Sequence, residues 1–190
     1  MGEIPMTREP LHSGFVVWFT GFSGAGKSTI ASLLGQDLER QGLLVDRLDG
    51  DAVRTHLSKG LGYSKIDRDT NVERIGWVAS RLARAGVAVL VSAISPYADA
   101  RRRVRLLVEE HATFVEVHVA TALDECIRRD TKGLYAKALA HDIPAFTGIT
   151  DPYEEPVEPE LRLDTVGFQP VESVDLVLKR LVELEVVSPS

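Results

Sequence analysis

The stretch Gly21-Phe22-Ser23-Gly24-Ala25-Gly26-Lys27-Ser28-Thr29 decides how the rest of the chain is read. Its spacing, G-x-x-x-x-G-K-[ST], is that of a P-loop, in which the backbone itself grips phosphate. The glycines let the chain curl until successive N–H groups converge on one anion. Lys27 adds a positive charge able to reach the β- and γ-phosphates, and the Ser28 hydroxyl is placed to ligate Mg²⁺. A helix starting here turns its positive end to the same phosphates.

The flanks agree with this motif. Residues 14–20 form a continuous apolar run, as expected of a buried parallel strand. After the loop, Ile30, Leu33, Leu34 and Leu38 recur at helical spacing, and Gln41-Gly42 is a stop. Four further segments, 43–48, 87–93, 113–119 and a weaker 161–164, predict strands. Helical patterns fall near 51–58, 67–85, 97–110, 121–131 and 171–185. Alternation of this kind predicts an α/β protein of P-loop NTPase fold, with a five-stranded parallel sheet flanked by helices. Ligands should gather at the carboxyl ends of the strands, where the P-loop, Asp49–Asp51 and Ser95 all fall. Residues 132–160 break the rhythm, carrying Gly, Pro and aromatics without a sheet-like run. Such an excursion, about 132–153, reads as a lid or substrate loop.

A chain of 190 residues is expected to form one domain over 13–190 behind a loose, polar leader, 1–12. Net charge is −6, so no global basic field draws it to nucleic acid or an acidic membrane. An anionic substrate must then be held by local positive groups. No apolar run reaches the ~18–20 residues of a membrane span. The single cysteine, Cys126, forbids an internal disulfide and fits a cytoplasmic setting. The five histidines show no metal-ligand spacing.

Phosphoryl transfer needs an oriented acceptor hydroxyl and a carboxylate near it. Asp51 is the candidate base, and Asp49 a candidate for the magnesium shell through water. The bland alternative is that Asp51 caps the helix that follows. Arg54, three residues after Asp51, and Arg68, which shares a face with Asn71, could clamp an anionic acceptor. Tyr63 and Phe146 could stack on a planar base, though either alone is as readily packing. Ser95 could touch the acceptor, but no adjacent His or Lys would activate it as a nucleophile.

These residues occur within a larger set of blocks in fixed order: Leu48-Asp49-Gly50-Asp51 with Arg54, Leu61-Gly62-Tyr63-Ser64, Asp67-Arg68 with Asn71, Ile94-Ser95-Pro96-Tyr97, Arg129 to Tyr135, and Phe146 to Glu154. Over roughly 14–165 the chain resembles the adenylylsulfate kinases. The resemblance implies a cytoplasmic kinase of sulfate assimilation that takes ATP and adenylyl sulfate (APS) to ADP and 3′-phosphoadenylyl sulfate (PAPS), with Mg²⁺. It implies that Asp51 lies near the 3′-hydroxyl. It further implies that Arg54, Arg68, Asn71, Ile94, Ser95, Lys132, Gly133 and Leu134 contact adenylyl sulfate, and that Tyr63 and Phe146 stack on its adenine. Lys132-Gly133-Leu134-Tyr135 belongs to the family's lid. The family describes the position of Ser95 as a phosphoserine intermediate, although direct transfer needs only positioning and charge stabilisation. Expected partners are the two nucleotides and a second copy of the chain, as a homodimer. Departures from the family pattern are Tyr63 for Phe, Ala52 for Asn, and Thr70 and Glu73 beside Asn71.

Three rivals remain at this point, one of them a catalytically silent homologue that acts as a binding partner. Another small-molecule P-loop kinase, of gluconate or nucleoside type, would share the loop but not the later blocks. A GTPase-like switch would use Asp164-Thr165-Val166-Gly167, a D-x-x-G match, but no guanine-reading motif accompanies it.

Overall fold

The computed structural model describes residues 14–189, so the expected leader lies outside the described residues. Five strands, β1 (Phe15–Thr20), β2 (Val45–Asp49), β3 (Ala88–Ser92), β4 (Thr113–Val119) and β5 (Leu161–Leu163), pair in parallel in the order β2-β3-β1-β4-β5. Every residue of β1 is buried because helices cover both faces, and alternate side chains feed two separate cores. Phe15, Val17 and Phe19 pack with α1 (Lys27–Arg40) and α7 (Pro170–Glu183). Val16 and Trp18 pack with α3 (Lys65–Arg84) and α4 (Ala98–Glu109). The last two helices approach closely at Gly76, where a Cβ would stand 2.5 Å from a Val104 methyl.

The expected α/β architecture is observed, with shifts that have local causes. The second strand begins at Val45 rather than at Leu43. The Leu43 N–H closes the end of α1 on the Leu38 carbonyl, after Gly42 has turned the chain at φ 87°. α3 starts at Lys65 because the Ser64 hydroxyl accepts from the Asp67 N–H, an N-cap three residues upstream of the expected start at 67. The short α2 (Gly50–His56) is capped by Asp49, not by Asp51, which leaves the Asp51 carboxylate without a capping role.

Residues 132–153 hold an unpredicted helix, α6 (Leu134–Leu139), preceded by α5 (Leu123–Arg129). The Asp130 carboxylate nucleates α6 by accepting from the N–H groups of Tyr135 and Ala136, and these bonds hold its pKa down. The excursion is also anchored: Tyr135, Ala138 and Phe146 are buried in the β1 core, with Tyr135 meeting Phe146 edge-on at 5.0 Å.

Candidate active site

The carboxyl ends of β1, β2 and β3 open into a cleft of about 340 Å³. It lies where the chain's crossovers diverge on either side of β1, the position at which open parallel sheets bind ligands. Four cationic side chains, Lys27, Arg54, Arg68 and Lys132, and two carboxylates, Asp49 and Asp51, line it. A chain of net charge −6 thus carries a locally cationic cleft suited to anions.

One wall is the P-loop. Gly26 turns the chain into α1 at φ 110°, a conformation that L side chains avoid. Gly21 crosses β4 so closely that a Cβ would sit 2.4 Å from the Val119 carbonyl oxygen. Lys27 Nζ donates to the carbonyls of Gly21 and Phe22 at 2.9 and 2.7 Å. Burial pushes the Lys27 ammonium down to about 8, with Asp49 and Asp51 opposing that shift. Ser23, Gly24, Gly26, Ser28 and Thr29 face the cleft. Gly21, Phe22 and Ala25 stand behind that lining. The Phe22 ring packs on Tyr153 at 4.9 Å, and the carbonyl of buried Ala25 accepts from the Thr121 and Thr165 hydroxyls.

At the floor, the Ser28 hydroxyl donates to Asp49 Oδ2 at 2.6 Å, while Asp49 Oδ1 accepts from the Asp51 N–H. Among the described residues no group of three His, Cys, Asp or Glu side chains is poised for a metal. Two hard oxygen donors beside a phosphate-binding loop fit Mg²⁺, which characteristically shares its shell between few protein groups, water and phosphates.

The opposite wall comes from α2, α3 and residues 131–147. The Asp51 carboxylate is exposed and paired with the Lys132 ammonium across the mouth of the cleft. The Arg54 guanidinium lies over the Tyr63 ring at 4.4 Å and donates to the Gly62 carbonyl at 3.1 Å. Arg68 is spent on the protein. Its donors reach the Tyr63 carbonyl, the Thr147 hydroxyl and the Ala145 carbonyl, and Asp151 lies 3.3 Å away. It ties α3 to the 145–151 segment as much as it faces the cleft. Asn71, one turn along α3, keeps its Oδ1 buried and without a partner among the described residues, in the cleft lining. Phe146, Leu134 and Ile94 supply apolar surface. Gly133 is the left-handed N-cap residue of α6, at φ 64°, and stands outside the lining.

Ser95 lines the cleft, yet it is buried and its hydroxyl is engaged. Trp18 Nε1 donates to it at 3.0 Å, and it donates to Thr20 Oγ1 at 3.1 Å. Thr147, Thr121 and Thr165 carried no spacing signal, because their partners lie far along the chain. The D-x-x-G match falls in a turn after β5 where Asp164 Oδ1 accepts from the Val166 N–H, as an ordinary Asx turn does. Ala52, Thr70 and Glu73 lie outside the lining, and Glu73 instead pairs with Arg103 of α4 at 2.6 Å.

Among the described residues no helix is long and apolar enough to cross a membrane. The chain matches the protein family described as adenylylsulphate kinase over residues 13–164. It is 52% identical over 187 residues to an adenylyl-sulfate kinase of Chloroflexus aurantiacus, covering 98% of this chain and 97% of the relative. It is 51% identical over 178 residues to an adenylyl-sulfate kinase of Picosynechococcus, covering 94% and 99%. The solved structure of the Mycobacterium tuberculosis APS kinase CysC in complex with AMPPNP and APS superposes with a TM-score of 0.87 at 44% identity, over 90% of this chain and 98% of that one. With a P-loop and an Asp51-bearing wall facing each other across one cleft, and with these likenesses spanning nearly its whole length, the chain belongs to the adenylylsulfate kinase family.

Proposed function

We propose that the protein transfers the γ-phosphoryl group of ATP to the 3′-hydroxyl of adenylyl sulfate, releasing ADP and PAPS in sulfate activation. A relative of the same fold takes an ATP analogue and APS together, which supports both substrates. The observation that carries the reading is the facing of two unlike walls across one cleft. The P-loop with Lys27 holds the nucleotide that donates, and the wall bearing Asp51, Arg54, Asn71 and Phe146 holds the one that accepts. In the transfer, the new bond forms between the ribose 3′-oxygen and the γ-phosphorus. The bond to the β–γ bridging oxygen breaks, leaving with ADP, and the hydroxyl proton goes to the Asp51 carboxylate.

Each residue then has a task. The P-loop amides and Lys27 stabilise the charge spread over the transferring group. Ser28 and Asp49 would hold Mg²⁺, which when bound supplies further neutralisation of the phosphates. Lys132 releases Asp51 when an acceptor arrives and turns its charge to the phosphates. Arg54, Tyr63 and Phe146 receive the acceptor's anion and adenine, and Asn71 Oδ1 accepts from a donor on it. Residues 132–153 act as a lid that excludes water and so suppresses ATP hydrolysis. Its buried anchors, Tyr135, Ala138 and Phe146, confine the movement to the stretches between them. Ser95 serves as wall rather than as phosphoryl carrier, since its hydroxyl is buried and hydrogen-bonded on both sides. A homodimer and a cytoplasmic location complete the proposal. Sedimentation tests the first. The buried, unpaired thiol of Cys126 suits the second.

The test is ADP release with ATP and Mg²⁺ in the presence of adenylyl sulfate, gluconate or nucleosides in turn. Only adenylyl sulfate should accelerate it. Equal acceleration by gluconate or a nucleoside would assign the cleft to another small-molecule kinase.

A further inference from the structure

We infer that Arg101 is a positioning residue for the acceptor: buried behind the Ile94-Ser95-Pro96 turn, it fixes that wall of the cleft and so sets affinity for adenylyl sulfate without touching either substrate. The inference rests on the assignment of that wall to the acceptor.

The turn is not self-supporting. Ser95 sits at φ 41°, in the left-handed region that a side chain disfavours, so neighbouring groups must hold it there. Arg101, on the first turn of α4, is 3% exposed and outside the cleft lining. Its Nη1 donates to the Ser95 carbonyl at 2.7 Å and its Nη2 to the Glu154 carbonyl at 2.7 Å. Its Nε lies 2.9 Å from Glu116 Oε1 on β4, an ion-pair contact rather than an aligned hydrogen bond. One planar cation thus joins the turn, the central sheet and the end of the 146–154 segment that carries Phe146 and Thr147. Lysine cannot copy this, because a single ammonium lacks the fork that serves three acceptors in different directions.

A second set of bonds braces the same turn from the sheet side. Thr20 Oγ1 has one proton, which goes to the Ile94 carbonyl at 2.7 Å. It therefore accepts from both the Ser95 hydroxyl at 3.1 Å and the Tyr153 hydroxyl at 2.9 Å. The Glu154 N–H donates to the Pro96 carbonyl at 2.8 Å, and Glu154 Oε2 accepts from the Ala98 N–H at 2.7 Å. Tyr153 and Arg101 thus converge on one turn through different bonds, with the guanidinium 5.8 Å from the Tyr153 ring. No Arg101 hydrogen bond reaches the P-loop, and the guanidinium approaches that wall through the Tyr153 ring, which packs on Phe22.

Steady-state kinetics of the full chain, with each substrate varied against the other held saturating, test this. Arg101→Gln should raise KM for adenylyl sulfate about tenfold, the loss of charge-assisted bonds to the wall. KM for ATP should stay within about twofold, since no Arg101 bond reaches the P-loop. Tyr153→Phe keeps the ring against Phe22 and removes only the hydroxyl, and should raise KM for adenylyl sulfate alone, by about threefold. Arg101→Lys should resemble the glutamine variant rather than restore the wild type. If Arg101→Gln is insoluble, Tyr153→Phe and Arg101→Lys decide the matter by the same split. An unchanged KM for adenylyl sulfate in the soluble variants, an equal rise for both substrates, or a fall in turnover alone would overturn the inference. Failure of the functional reading itself would show separately, as wild-type protein whose ADP release ignores adenylyl sulfate.

Discussion

The two walls of the cleft are built in opposite ways. The P-loop wall is local: Lys27 bonds to carbonyls five and six residues away, and its backbone shape comes from its own glycines. The acceptor wall is assembled from afar. Lys132 meets Asp51 across 81 residues, and Arg68 meets Thr147 and Ala145 across 79 and 77. A wall whose phosphate-facing surface is the backbone of one short segment takes its shape from that segment, with Thr121, Thr165 and Tyr135 bracing its far side. A wall made of side-chain links between α2, α3 and the 131–153 segment can loosen and re-form, as the entry and exit of a second nucleotide require.

The largest effect that would break this contrast is chemical. Asp51→Ala should lower turnover by about a hundred- to ten-thousandfold while leaving ATP affinity within about twofold, because only the acceptor wall loses its base. Rapid-quench kinetics and nucleotide titration check it, and near-normal turnover would remove Asp51 from the mechanism.

Lys27→Met acts on the other wall. ATP affinity should fall about a hundredfold with the loss of a charge-assisted phosphate contact. Thermal stability should not fall, because removing a desolvated ammonium offsets the loss of its two carbonyl bonds. A variant that unfolds readily would contradict the picture of Lys27 as a functional charge held at a cost.

Acid should weaken the molecule beneath the acceptor wall. His118 is buried on β4 beside Tyr153, and burial pushes its imidazole down to about 4, from 6.5, against the opposing pull of Glu155. The native state therefore resists a proton that the unfolded chain accepts. Stability fully present above about pH 6.5 is lost progressively as pH falls towards 4, by about 3 kcal/mol in all. Urea denaturation across that range should show the slope, and His118→Gln should flatten it.

The smallest effect is at the mouth of the cleft. Lys132→Ala removes an exposed ion pair and should change stability by no more than about 1 kcal/mol. Any loss it causes should appear in turnover.

The same contrast explains what the residues disclosed in advance. The P-loop, the buried β1 run and the alternation of strands and helices carry their signal within short windows, so sheet and nucleotide wall were legible from spacing. Asp51 was legible as a carboxylate after a strand, but the capping alternative fell away only when Asp49 proved to be the helix cap. α6 escaped notice because its start is set by Asp130 and its burial by Phe146, neither of which forms a helical period. Thr147, Thr165 and the link from Arg101 to the Glu154 carbonyl were invisible, since each matters through a partner many residues away. Arg101 opens the basic run Arg101-Arg102-Arg103, yet it is buried and paired, which a run of charges on a helix does not disclose. For the acceptor wall, the ordered blocks shared with the family supplied what spacing could not.

The central claim, direct transfer between two nucleotides held in one cleft, is tested most directly by phosphorus NMR of the protein turning over ATP, Mg²⁺ and adenylyl sulfate. ADP and a 3′-phosphomonoester of adenylyl sulfate should form in equal amounts, with no phosphate retained on the protein. Inorganic phosphate formed regardless of adenylyl sulfate, or a phosphoserine at Ser95 that forms and decays in step with turnover, would contradict it.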